Sequence, residues 1–254
     1  MSVCLRKTLM AKNSSHAIDI QKIVSHIHAD LQAVVDPIYK VGATRFFKEQ
    51  VKLYGVRVPN VRKIAANYAA DLKQVSLDEL LPLCEKLMQT GYMEDATIAL
   101  ALVYKKRTNL NVDDIKVLER WLNTYVSNWA ICDDLSAHVF GYCIERFPEM
   151  LPMVQTWVTS DNRWVRRAAA VSLIVPARKG NNFDDVLCVA EKLLHDQDDM
   201  VQKGCGWMLK EAAKCHQKEI IAYIEKHKKT MPRTMLRYAI ELMPRDIKQQ
   251  LMEK

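Results

Sequence analysis

Glycine and proline are scarce in this chain, 7 and 8 among 254 residues. So few turn formers exclude an all-β sandwich or barrel, which needs frequent breaks. No Cys-x-x-Cys occurs among Cys4, Cys84, Cys132, Cys143, Cys188, Cys205 and Cys215, and no pair has Cys or His at ligand spacing. A zinc site is therefore not expected, and no metal or cofactor is implied. The cysteines are odd in number and irregularly spaced, and most lie in apolar helical stretches. That pattern reads as reduced thiols acting as small hydrophobes in a cytoplasmic setting, nucleoid-associated in a bacterium or nuclear in a eukaryote. The longest apolar run, Ile98 to Tyr104, is too short to span a bilayer, so no membrane partner is expected. A secretory hydrophobic segment is also missing. Residues 1–16 hold three basic side chains and no acid, and read as a disordered N-terminus rather than a transit peptide.

What is abundant points to helix. Leu, Ala, Lys, Glu, Met and Gln dominate, and 49% of residues are hydrophobic, ample for a core. Ile18 to Val35 carries apolar residues at spacings of three and four, and Pro37 is expected to close that helix. Gly42 to Leu53 is read as a second helix, and Val58-Pro59-Asn60 as the start of a third, to about Leu72. Ser76 with Asp78 and Glu79 reads as an N-cap with acids in the first turn of a helix ending at Gln89. Beyond that point helix pairs begin near residues 93, 128, 162, 200 and 232. A repeat in the middle thirties is the mark of an α-solenoid. The expected fold is all-α, a right-handed superhelix of HEAT or armadillo-like pairs with a concave basic groove. No linker is visible, so residues 17–254 are read as a single repeat domain.

Laid over one another, the repeats place Asp95, Asp133, Arg167, Lys203 and Arg237 in one register, with steps of 38, 34, 36 and 34. Small residues follow four of them, Ala96, Ala168 and Ala169, Gly204 and Cys205, and Ala239, which lets neighbouring helices approach. From Arg167 onward this register is basic. Lys203, Trp207, Lys210 and Lys214 form a stripe along one helix face, and Arg163–Arg167 and Arg233–Arg237 are i,i+4 pairs. Net charge is +7 and the pI about 9.0, consistent with an anionic partner. Against that background Trp129 and Asp133, one helical turn apart, set an indole beside a carboxylate. Each feature has a plainer reading. The indoles could be core, Trp164 above all, and the charges a solvated face. Their coincidence in one register is what favours an anion-binding groove.

Four stretches in order carry a resemblance. They are Gly55-Val56-Arg57-Val58-Pro59 with Arg62, Trp129-x-x-x-Asp133, Ser160-Asp161-Asn162-Arg163-Trp164-Val165-Arg166-Arg167, and Val201 to Lys214 around Trp207. Together they resemble the AlkD-like family of HEAT-like-repeat DNA alkylation repair glycosylases, over roughly residues 20–250. The resemblance implies a monomeric, monofunctional enzyme that removes N7-alkylguanine and N3-alkyladenine from double-stranded DNA. It implies Asp133 as the catalytic carboxylate, Trp129 and Trp207 as indoles framing the lesion deoxyribose, and Arg167 as a phosphate contact. Phe46 falls where the family has a DNA-contacting tyrosine. Arg163, Arg166, Lys203, Lys210, Lys214, Arg233 and Arg237 are the further DNA-binding candidates. Two other readings stay open: a HEAT-repeat protein that binds DNA, branched DNA included, without excision, and a scaffold for an acidic peptide.

Overall fold

A computed structural model describes residues 18–253, and the expected disordered N-terminus lies outside them. Among the described residues the secondary structure is helical, with no strand and one isolated bridge between Lys52 and Tyr92. The chain divides into two compact units, one running to Asn109 and the other starting at Leu110.

The first unit opens with α1 (Ile20–Gln32), capped by the Asp19 side chain on the Lys22 N–H. It buries Val24, Ile27 and Leu31, one stripe at helical spacing. Next comes α2 (Pro37–Thr44), a departure from the expected helix over 42–53. The physical reason is the cap. Asp36 accepts from the Tyr39 N–H, and Pro37 at the first helical position starts a helix rather than closing one. After Thr44 the chain is irregular to Arg57, with Gly55 at φ +100°, where a side chain would be strained. Helices α3 (Val58–Asp71), α4 (Leu77–Gln89) and α5 (Met93–Lys105) follow. A capping box between Ser76 and Glu79 starts α4, as its sequence indicates.

Packed against both α3 and α4, α5 is the centre of this unit. Two acids at its start are buried. Glu94 accepts the N–H groups of Tyr54, Gly55 and Val56, and so fixes the irregular segment before α3. The other, Asp95, accepts from the Tyr54 and Thr90 hydroxyls and pairs with His28 Nε2 at 3.0 Å. Asp95 therefore does not stand exposed at its register position.

In the second unit α6 (Val112–Thr124) has a second capping box, Asn111 with Asp114, and buries Trp121. A long helix then runs from Trp129 to Arg146. It consists of α7 (Trp129–Asp133), a π-helical segment over Asp134–Phe140, and α8 (Gly141–Arg146). The Asn128 side chain caps it on the Ile131 N–H. After α9 (Leu151–Thr156) the helix expected over 162–177 is split into α10 (Arg163–Val171) and α11 (Ile174–Arg178). Pro176 has no N–H for the carbonyl four residues back, which belongs to Ser172, and the chain turns at Ser172–Leu173. Then come α12 (Phe183–Lys192), α13 (Asp199–Ala212), α14 (Gln217–His227), α15 (Arg233–Ala239) and α16 (Arg245–Met252).

The organising element here is α13, packed against α10, α11 and α15. Two glycines make that possible. A Cβ on Gly206 would lie 2.5 Å from the Met235 carbonyl oxygen and 2.6 Å from Tyr238 Cβ. One on Gly204 would lie 3.1 Å from Arg167 Cγ. A glycine inside a helix costs roughly 1 kcal/mol against alanine, and here close packing offsets it.

Candidate active site

Asp133 and Arg167, 34 residues apart in sequence, meet in the second unit. Arg167 Nε donates to Asp133 Oδ1 and Nη2 donates to Oδ2, both at 2.8 Å, a two-pronged pair. Nη1 donates to the Met200 carbonyl at the start of α13. The Arg167 side chain is 5% exposed and that of Asp133 17%. Gly204 supplies the room: any side chain there would press on the Arg167 stem and guanidinium. One carboxylate thus lies at the end of α7, held from α10, with the guanidinium itself anchored to α13. Burial pushes the Asp133 carboxyl above the ordinary carboxylate range, and the guanidinium opposes that shift without cancelling it. A carboxylate offers about four lone-pair positions, and the pair with Arg167 uses two. The others can meet a water or a developing cation.

Trp129 begins α7 one turn before Asp133 and is half-buried. Trp207, in the middle of α13, is also half-buried. Trp164 is core, as its plainer reading has it, as are Trp121 and Trp157. The Arg163 guanidinium stacks on the Trp164 ring at 4.5 Å. Beside Asp133, the Cys132 thiol is fully buried, and burial pushes it up to about 12. It is no nucleophile at neutral pH.

Six of the seven further basic candidates come with acidic or carbonyl partners. Arg163 pairs with Asp198. Arg166 pairs with Asp196 and donates to the Ser160 and Asp161 carbonyls. Lys203 meets Asp199, Lys210 meets Glu241, and Lys214 meets Glu211. Arg233 donates to the Met252 carbonyl. Arg237 is exposed on α15. Phe46 belongs to the first unit, on the turn after α2, and is 78% exposed. The register is thus not presented uniformly. Arg167 is buried, Lys203 half-buried and Arg237 exposed.

Sequence reasoning missed Glu211 and Arg178. Glu211 takes a hydrogen bond from Trp207 Nε1 at 3.3 Å and from Arg178 Nε at 2.7 Å. Its position four residues after Trp207 on one helix was the available signal. Nothing in the sequence marks Arg178. A cavity of about 200 Å³ adjoins this cluster, lined by Lys210, Ala213, Lys214, Gln217, Ala239, Leu242 and Met243. Among the described residues no group of three His, Cys, Asp or Glu side chains could hold a metal ion, and no helix is long and apolar enough to cross a membrane.

An all-helical repeat chain with a carboxylate clamped by a buried arginine defines a class, and known proteins specify it further. Solved structures share the fold. A predicted DNA alkylation repair enzyme from Enterococcus faecalis superposes with TM-score 0.75 at 15% identity, covering 83% of this chain and 97% of that one. AlkD2 from Streptococcus mutans gives TM-score 0.60 at 16% identity, covering 88% and 99%. No curated protein matches the chain. The DNA alkylation repair enzyme family matches residues 27–243, most of the chain, and the chain belongs to that family.

Proposed function

We propose that this chain is a monofunctional DNA glycosylase that hydrolyses the N-glycosidic bond of cationic alkylated purines, N7-alkylguanine and N3-alkyladenine, in duplex DNA. The observation that carries the reading is the Asp133–Arg167 pair, a poorly solvated carboxylate held rigidly one turn from a half-buried indole.

Alkylation at N7 or N3 makes the base a cation. When its bond to C1′ breaks, the electron pair leaves with the base and neutralises it, so no acid need protonate the leaving group. Positive charge moves to the sugar, and a preorganised anion stabilises that charge best where water is excluded. Asp133 fills this role. Arg167 keeps it in one orientation, and opposes protonation. A water then attacks C1′ and gives up its proton to Asp133 or to solvent. The faces of Trp129 and Trp207 add cation–π attraction as the sugar becomes positive, on the order of 1–2 kcal/mol each in a dry site. No lysine is assigned to attack C1′, so the strand is left uncut.

Backbone binding falls to Arg163, Arg166, Lys203, Lys210, Lys214, Arg233 and Arg237, with Phe46 as an apolar contact. The Lys203–Asp199 and Lys210–Glu241 pairs have partly exposed carboxylates and exchange them for a phosphate at small cost, whereas Lys214 stays on the buried Glu211 carboxylate and adds only its charge. Arg167 has two N–H groups beyond the three already bonded, but its side chain is 5% exposed, so its part in this reading is to hold Asp133 rather than to meet a phosphate. The protein acts where genomic DNA is, as a monomer and without a cofactor.

The test is release of 7-methylguanine from methylated duplex DNA, wild type beside Asp133→Asn. Release by wild type alone, with duplex binding kept in both, is the expected result. If neither releases base while both bind duplex or branched DNA, the chain is a DNA-binding repeat protein and the glycosylase reading fails.

A further inference from the structure

We infer that Glu211 is a positioning residue for this reaction, holding the Trp207 indole in its working orientation through the ring N–H. The inference rests on the glycosylase reading for its catalytic meaning and on geometry for the link itself.

Glu211 follows Trp207 by one turn of α13 and is 5% exposed. Its Oε1 accepts from Trp207 Nε1 at 3.3 Å. Its Oε2 accepts from Arg178 Nε at 2.7 Å and from Lys214 Nζ at 2.6 Å. Arg178 is the last residue of α11, so the carboxylate is fixed from a second element before it touches the indole. Burial pushes Glu211 up, and Lys214 and Arg178 more than offset it, so the group lies below the ordinary glutamate range. An anion is therefore aimed at the indole N–H. An indole that is only half-buried has room to rotate. A charge-assisted bond to its one donor removes that freedom and leaves the ring face, not its edge, as the fixed surface. The cluster adjoins the α13–α15 cavity but does not depend on what enters it.

Glutamine is an informative replacement. It has one carbonyl oxygen, and two cations, Arg178 and Lys214, claim it. The amide NH2 then faces the indole N–H, donor against donor, and the link to Trp207 is lost with little change of volume. In single-turnover release of 7-methylguanine, Glu211→Gln is expected to slow the rate about tenfold, the low end for one charge-assisted bond, as its length of 3.3 Å implies. Duplex affinity is expected to hold or rise, since one negative charge is gone. In a Trp207→Phe background, which lacks the N–H, Glu211→Gln should change the rate by less than about twofold. Tryptophan emission gives a second readout, free of catalysis. The Trp207 contribution is wild type minus Trp207→Phe, and Glu211→Gln should move it. All measurements are made below each variant's unfolding midpoint.

Rate effects that multiply in the double variant, or a Trp207 emission that Glu211→Gln leaves in place, would overturn the inference. If wild type excises nothing, the glycosylase reading fails, and the emission comparison alone decides whether Glu211 holds Trp207.

Discussion

Arg167→Met removes the guanidinium while keeping most of the stem's volume. Three hydrogen bonds go with it, two to Asp133 and one to the Met200 carbonyl. Removing one partner of a buried pair costs about 3–5 kcal/mol, because the other charge is left uncompensated. Asp133 keeps a little solvent contact, so the lower end applies, about 3 kcal/mol at neutral pH. For a protein of this size that is a fall of roughly 6–12 °C in Tm. The loss must depend on pH. Burial already raises the Asp133 carboxyl, and Arg167 opposes it. Without Arg167 the folded-state value climbs further above the unfolded value of about 3.9. A group raised in the folded state contributes stability that is full below its unfolded value and lost as pH rises through the folded one. The deficit against wild type should therefore be small near about pH 4, on the order of 1 kcal/mol from the Met200 carbonyl, and widen towards pH 8. Adding Asp133→Leu removes the stranded charge and should bring stability back to within about 1 kcal/mol of wild type. Urea unfolding of the three proteins at both pH values measures all of this. An equal deficit at both pH values, or a deeper one in the double variant, would show that Asp133 is not an anion held in place by Arg167.

Other outcomes follow from the same geometry. Gly206→Ala sets a Cβ against backbone and Tyr238 Cβ, so α15 must shift; a net loss of about 2 kcal/mol is expected by thermal unfolding. Gly204→Ala meets the flexible Arg167 stem instead, so stability should change by less than about 1 kcal/mol while 7-methylguanine release falls; equal stability effects of the two alanines would contradict the packing described. Asp133 must be ionised to act, so the excision rate should fall on the acid side along a limb lying above the ordinary carboxylate range, and single-turnover rates against pH would refute this with a limb at or below about 3.9. Replacing Lys203 by glutamine should lower the slope of log affinity for duplex DNA against log salt by about one; an unchanged slope would remove Lys203 from the backbone contacts.

Much of this protein is written locally. Scarce glycine and proline, apolar residues three and four apart, and caps such as Ser76 with Glu79 determined that it is helical and roughly where its helices begin. Side chains one turn apart share a face, so Trp129 and Asp133 could be placed on one helix face from their numbers alone. Local rules also misled. Sequence pattern makes Pro37 a terminator where the Asp36 cap makes it an initiator, and the lost hydrogen bond at Pro176 splits one expected helix into two. What the sequence could not supply is partnership between distant residues. Charge type alone made Arg167 one of a row of phosphate-seeking cations, and only tertiary packing turned it inward onto Asp133 and the Met200 carbonyl. Tertiary packing likewise buried Asp95 and tied Lys210 to Glu241 and Arg178 to Glu211. Helix formation is decided over a few residues by backbone hydrogen bonds and capping. Which carboxylate a cation meets is decided by how closely helices approach, and for Arg167 the bare Cα of Gly204 on α13 leaves the room.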